Sequence, residues 1–323
     1  MPGTAPLSLA ALGRGSAVVT LNGGTFYTRS DIMAKHSPVL NPEKTSLYGQ
    51  IDKSRKDLVI KLPLTLFGLW SNLGVLFPSY ALNPVVGASI YPATDSAATP
   101  LVIKAKNGDR IAYGNAAITK LFGLYLGVDS EIFAAAVEVS CILRAGFLPT
   151  DSGAYFVRDT ATYIEPGFSN AAFLKARWTG CWGSGTPNVP TGFGVIVPQK
   201  GFNVDWNLDL KPFTVDGYGT VDMTIGEGGM IANCKAIGIG PTMAQIDAAS
   251  AIGTADMGTL LSAVGYPLTL TSGTHSLVLN NASLIEHTTT FGIERLRVGE
   301  VAWETTRGFS GTPAAPAAVA TVA

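Results

Sequence analysis

Acid–base or metal chemistry in this chain of 323 residues would have to start from three histidines, His36, His275 and His287. None stands at metal-ligand spacing from a cysteine, aspartate or glutamate, apart from the adjacent Glu286, and H-E-x-x-H is absent. On a strand Glu286 and His287 would point to opposite faces, a poor geometry for a shared site. Cys141, Cys181 and Cys234 are odd in number, far apart and without a C-x-x-C pair. They read as small buried hydrophobes of a reducing compartment. Asp205-x-Asn207-x-Asp209 imitates the start of an EF-hand loop, but its sixth position is Leu210 instead of glycine. Gly226-Glu227-Gly228-Gly229 and Gly238-Ile239-Gly240-Pro241 match neither phosphate-binding glycine pattern and read as strand-end turns. No G-x-S-x-G elbow is present. Trp178 and Trp182, with Gly183 and Gly185, form a candidate ligand platform, although such residues more often cap a core or anchor an interface. The expectation is a protein with no catalytic residue, cofactor or metal.

The scaffold around these residues reads as mainly β. Asn203 to Leu210 alternates polar against apolar, the pattern of a half-buried strand. Ala17–Leu21, Thr25–Thr28, Asp57–Leu62, Val221–Ile225 and Ile231–Ile239 also read as strands. Leu101–Ala105 and Arg110–Tyr113 flank Asn107-Gly108, a hairpin signal. Short helices are expected around Thr65–Leu76 and Thr242–Ile252. The polar stretch Ser30–Ser46 reads as a long loop between two paired strands, a length that is usually functional.

Charged residues make up 14% of the chain and hydrophobic ones 47%. This composition excludes disorder and a coiled coil. The net charge of −1 gives no global basic surplus for gripping nucleic acid. A chain so poor in charge must hide surface in a membrane or in a large assembly. Leu62–Thr94 has no charge but contains Pro63, Pro78, Pro84 and Pro92, too many breaks for a spanning helix. No membrane span and no signal peptide are expected. Residues 1–150 carry 13 basic and 9 acidic groups, whereas residues 151–323 carry 9 and 14. Opposite faces of that kind suit specific contacts between subunits.

The sequence also echoes itself. Pro100-Leu101-Val102-Ile103 returns as Pro267-Leu268-Thr269-Leu270, and Asn115-Ala116-Ala117-Ile118 as Asn281-Ala282-Ser283-Leu284. The turns at Asn107-Gly108 and Ser272-Gly273 lie between the paired echoes. Gly15–Val19 has a counterpart in Gly194–Val197, and Gly49-Gln50-Ile51-Asp52 in Gly219-Thr220-Val221-Asp222. The order is collinear. It divides the chain into an N-terminal arm (1–14), a first β domain (15–146), a connecting segment (147–193), a second β domain (194–309) and a C-terminal arm (310–323).

A duplicated, charge-poor, glycine-rich β protein with long loops, terminal arms and no visible chemistry resembles the tail tube proteins of long non-contractile tailed bacteriophages. The resemblance is architectural and covers most of residues 15–309. It implies two tandem tail-tube-like β-sandwich or barrel domains with short flanking helices. It implies self-association into rings, trimeric with pseudo-sixfold symmetry for two-domain members, that stack into a hollow tube in the virion tail. Other tail proteins would be partners, DNA would be cargo in the lumen, and synthesis would take place in the host cytoplasm. By position, Ser30–Ser46 would be the inter-ring loop, with Asp31, Lys35, His36, Glu43 and Lys44 as its candidate contact residues. The corresponding span of the second copy, about Lys211–Gly217, is much shorter. The alternatives are a capsid decoration or distal tail ring protein, and then a carbohydrate-binding module using Trp178 and Trp182.

Overall fold

Alternation of burial along the strands builds the fold. In a computed structural model of the chain, Ile60, Leu62, Leu64 and Leu66 are buried while Lys61, Pro63 and Thr65 between them are exposed. Phe202, Val204, Trp206 and Leu208 repeat that pattern. The structure describes residues 17–28, 32, 39–57, 59–91, 100–105, 108–127, 132–142, 156–160, 177–183, 195–215, 219–239, 266–290, 298–305 and 320–322. The expected helix at Thr242–Ile252 lies outside them.

The first half contains β1 (Ala17–Leu21), β2 (Gly24–Thr28), β3 (Val39–Thr45), β4 (Gly49–Asp57) and β5 (Val59–Leu69). A 3-10 helix (Trp70–Leu76) and a one-turn helix α1 (Ser79–Leu82) follow. The expected helix from Thr65 is thus a strand as far as Leu69, because alternating burial continues to that point. Next come β6 (Leu101–Lys104), β7 (Asp109–Tyr113), β8 (Ala116–Leu126), β9 (Ile132–Ile142) and β10 (Phe156–Thr160). The second half contains β11 (Thr179–Trp182), β12 (Val195–Ile196), β13 (Phe202–Val215), β14 (Gly219–Ile239), β15 (Tyr266–Ser272), β16 (His275–Thr290), β17 (Val298–Thr305) and β18 (Ala320–Val322).

All pairings between these strands are antiparallel. Sixteen strands join in one sheet, in the order β10-β7-β6-β1-β2-β5-β9-β8-β13-β14-β17-β16-β15-β11-β12, with β18 on β16. The two halves meet where β8 pairs with β13. The hairpin β3–β4 is a sheet of its own.

The ladders of the two halves repeat each other. The run β5-β9-β8 returns as β14-β17-β16. Leu21 opposite Leu101 and Val19 opposite Ile103 return as Trp182 opposite Leu268 and Gly180 opposite Leu270. Ala116 opposite Cys141 returns as Ala282 opposite Thr305. The β8–β9 ladder slips between Ile118 and Lys120, and the β16–β17 ladder slips at the same step, between Leu284 and Glu286. Gly49 and Gly219 both open the returning strand of a hairpin, at φ 68° and 79°. The strand that takes the place of β1 is β11, which pairs with both β12 and β15. Gly194–Val197, the expected counterpart of β1, contributes only the two-residue β12, because Thr179–Trp182 already fills that position.

One core runs through both halves. The Trp70 ring lies 5.2 Å from Trp178, and Trp182 lies 6.3 Å from Trp303. Trp206 donates its indole N–H to the Leu76 carbonyl at 3.1 Å, and Trp182 to the Ala282 carbonyl at 2.9 Å. A smaller core gathers Ile90, Tyr91, Ala117, Ile142 and Ile225 around the base of the second hairpin.

Candidate functional site

Because side chains alternate along a strand, burying one face of this sheet leaves the other to polar residues. That second face crosses seven strands, from β5 to β16, a width of about 29 Å at the usual strand spacing. One row across it reads Asp205, Asn233, Glu304, Ser283. A neighbouring row reads Pro63, Glu138, Lys120, Asn207 and Ile231, and crosses the β8–β13 junction. Among the described residues Lys61, Lys120, Lys235 and, farther along β13, Lys211 share the face with six carboxylates. These are Glu138, Asp205, Asp209, Glu286, Glu300 and Glu304.

The lysines are partly neutralised in place. Lys61 lies 3.7 Å from Glu138, and Lys235 lies 2.7 Å from Glu300. The hydrogen bond to Glu300 raises the Lys235 pKa above its ordinary value, so this ammonium holds its proton. Lys120 stands over the Phe122 ring at 4.8 Å from its centroid. Asp205 accepts a hydrogen bond from the Asn233 amide at 2.9 Å. The face is therefore mildly acidic, with exposed Phe122, Tyr125 and Ile231 among its polar residues, and it continues across both halves.

Two hairpins project from this sheet system. The first is β3–β4, whose turn presents Leu47 and Tyr48, 84% and 80% exposed. The second is the far end of β13–β14, where Leu210–Val215 return through Gly219–Ile225 and Phe213 is exposed. At its base four residues, Gly226–Gly229, loop out opposite the single Asp209, which accepts the Gly228 backbone N–H at 3.0 Å. A strap from the first half grips this hairpin. Gly87 N–H donates to the Ile225 carbonyl at 2.8 Å, Ile225 N–H to Ala88 at 3.0 Å, and Ile90 N–H to Met223 at 3.1 Å. Ser89 Oγ donates to Asp222 Oδ1 at 2.5 Å.

Of the sequence-derived contact residues, Asp31, Lys35 and His36 lie outside the described residues. Glu43 and Lys44 stand on β3, opposite Asp52 and Gln50. The expected loop over Ser30–Ser46 is thus a paired strand over Val39–Thr45, since β4 supplies a partner within the same polar stretch. The second hairpin is comparable in length to the first, not much shorter, because its strands continue into Leu210 and Ile225. Strand alternation in β13 already indicated a polar face. The strap at Gly87–Ile90 carries no sequence signal beyond its lack of periodicity.

The tryptophan platform is absent. Trp178 and Trp182 are 0% and 1% exposed, and each packs against other rings of the core. Asp205, Asn207 and Asp209 alternate with buried Trp206 and Leu208 on β13, a strand arrangement instead of a calcium loop. Burial pushes the Cys141 and Cys234 thiols well above their ordinary range. Among the described residues no three His, Cys, Asp or Glu side chains gather as a metal site. No helix among them is long and apolar enough to cross a membrane. No family model and no curated protein matches the chain.

Proposed function

We propose that the chain is a structural subunit of a phage tail tube, built from two tail-tube-like units and assembling as stacked rings into a hollow conduit for DNA. The observation that carries this reading is the mildly acidic face that runs over β5, β9, β8, β13, β14, β17 and β16. A lumen that passes DNA must not hold it, and a face with more carboxylates than lysines repels phosphate. The repeated ladder supports two equivalent units per chain, and hence trimeric rings with pseudo-sixfold symmetry.

The dimensions agree. Each half contributes four consecutive strands, β2-β5-β9-β8 or β13-β14-β17-β16. Three copies set about 24 strands in a ring, a circumference of about 115 Å and a backbone diameter of about 37 Å before strand tilt widens it. That bore admits a DNA duplex. The projecting hairpins, with Leu47, Tyr48 and Phe213 exposed, suit contacts between successive rings. In this reading the chain is not an enzyme, and its partners are its own copies, other tail proteins and DNA as cargo.

Negative-stain electron microscopy across a concentration series tests this. The expected result is hollow, regularly striated tubes or open rings with three copies each. Closed particles of another symmetry would favour a capsid decoration or distal tail ring protein. Monomers at every concentration, even with preformed tube ends added, would overturn the reading.

A further inference from the structure

The second hairpin is held to the first half by a side chain as well as by the strap. Met223 of β14 is half-buried, and its backbone is fixed on both sides. Its N–H donates to Asp222 Oδ1 at 2.7 Å, and its carbonyl accepts the Ile90 N–H at 3.1 Å. The thioether reaches two hydroxyls of the first half. Tyr91 Oη lies 3.9 Å from Met223 Sδ, and Ser140 Oγ of β9 lies 4.0 Å from it, both donating toward the sulfur.

These donors are poorly served. A thioether is a weak acceptor. Tyr91 is 5% exposed and Ser140 is 0% exposed, so water does not make up the difference. Tyr91 has the Ser140 carbonyl as a second acceptor at 3.2 Å. For Ser140 Oγ the sulfur is the acceptor among the described residues. The spacing leaves room for one atom. A sulfoxide oxygen stands about 1.5 Å from its sulfur and an O–H···O bond spans about 2.7 Å, so a bent path from sulfur to hydroxyl covers about 3.7–4.0 Å. Both observed distances fall within that span.

We infer that Met223 is an oxidation site whose sulfoxide ties the second hairpin more firmly to the first half. The oxidant is a peroxide. A sulfur lone pair attacks one peroxide oxygen, the S–O bond forms as the O–O bond breaks, and the other oxygen leaves as water with the proton. Sulfur loses two electrons and the peroxide gains them. The new oxygen is a strong acceptor placed before two donors already aimed at it, so oxidation here adds hydrogen bonds where it usually disrupts packing. Methionine sulfoxide reductases reverse the step. The hairpin carries exposed Phe213, so its stiffness sets how that side chain is presented. The inference stands whatever the chain assembles into.

The test treats the full chain with hydrogen peroxide, maps oxidation by peptide mass spectrometry and follows hydrogen exchange over residues 219–225. Met230, the other methionine among the described residues, is 1% exposed and serves as the internal reference. Met223 is expected to gain oxygen before Met230. Exchange over residues 219–225 is then expected to slow about fivefold, the ratio one net hydrogen bond supports, and to recover after reductase treatment. Met223→Leu should show no slowing with peroxide. Met223→Gln, whose amide oxygen stands where the sulfoxide oxygen would, should slow exchange without any oxidant. Oxidation of Met223 no faster than of Met230, exchange that is unchanged or faster in the oxidised wild type, or equal slowing in Met223→Leu would each overturn the inference.

Discussion

Gly183 donates its backbone N–H to the Pro267 carbonyl at 2.9 Å, at the place where Asn22 donates to Pro100 at 2.8 Å in the first half. Both donors turn the chain with positive φ, 93° at Gly183 and 46° at Asn22. Gly183→Ala is expected to cost about 2 kcal/mol, since a Cβ is strained there. Asn22→Gly is expected to be nearly neutral, because the native conformation already suits glycine. Urea denaturation of both variants measures the contrast, and equal midpoints would refute it.

The junction between the halves has its own sensitive position. Gly201 precedes β13 with φ 85°, and a Cβ there would lie 2.3 Å from the Leu126 carbonyl oxygen and 2.9 Å from Gly127 Cα. These are backbone atoms and cannot rotate away. Gly201→Ala is expected to destabilise by about 3 kcal/mol, combining backbone strain with overpacking. Because the clash falls on the end of β8, hydrogen exchange should rise first along β8 and β13. A uniform rise over both halves would contradict this.

Tryptophan substitutions should separate by hydrogen bonding. Trp206 donates to the Leu76 carbonyl, whereas the buried Trp303 indole N–H has no hydrogen-bond partner among the described residues. Trp206→Phe strands a buried acceptor, a cost of about 1–3 kcal/mol beyond lost packing. Trp303→Phe removes an unsatisfied donor and is expected to be the milder of the two. Chemical denaturation that ranks them in the opposite order would show that packing volume dominates.

Alkaline stability should follow the buried thiols and phenols. Burial raises the pKa of Cys141 and Cys234 from 9.0, and of Tyr80, Tyr91 and Tyr113 from 10.0. The unfolded chain then loses these protons at a lower pH than the folded one does. The stability they contribute is complete below about pH 9 and declines as pH rises toward the folded values, at up to about 1.4 kcal/mol per pH unit for each group. Cys234→Ala should shift the alkaline unfolding midpoint upward relative to its midpoint at pH 7. An unchanged shift would show that another group governs the transition.

Much of the sheet was legible because its strands alternate or echo one another. Asn203–Leu210 gave β13, and the match of Gly49–Asp52 to Gly219–Asp222 marked equivalent hairpin positions. The β11 strand was not legible, since Thr179-Gly180-Cys181-Trp182 is short and shares no residue pattern with Ala17–Leu21. Its role comes from pairing with Leu268 and Leu270, which local sequence does not encode. Val39–Thr45 was hidden by Pro42, Glu43 and Lys44, residues with low strand preference that β4 nonetheless pairs. The polar face was legible in β13 alone. Its extension across seven strands depends on the order β9-β8-β13-β14, a property of topology.

The β8–β13 ladder joins strands that have residues 127–201 between them. That tether holds the two strands at an effective concentration near the millimolar range, whereas a foreign copy at micromolar levels competes about a thousandfold less well. Each chain therefore completes its own β8–β13 ladder in preference to lending either strand to another copy. Strand exchange between newly made chains is suppressed by the tether alone.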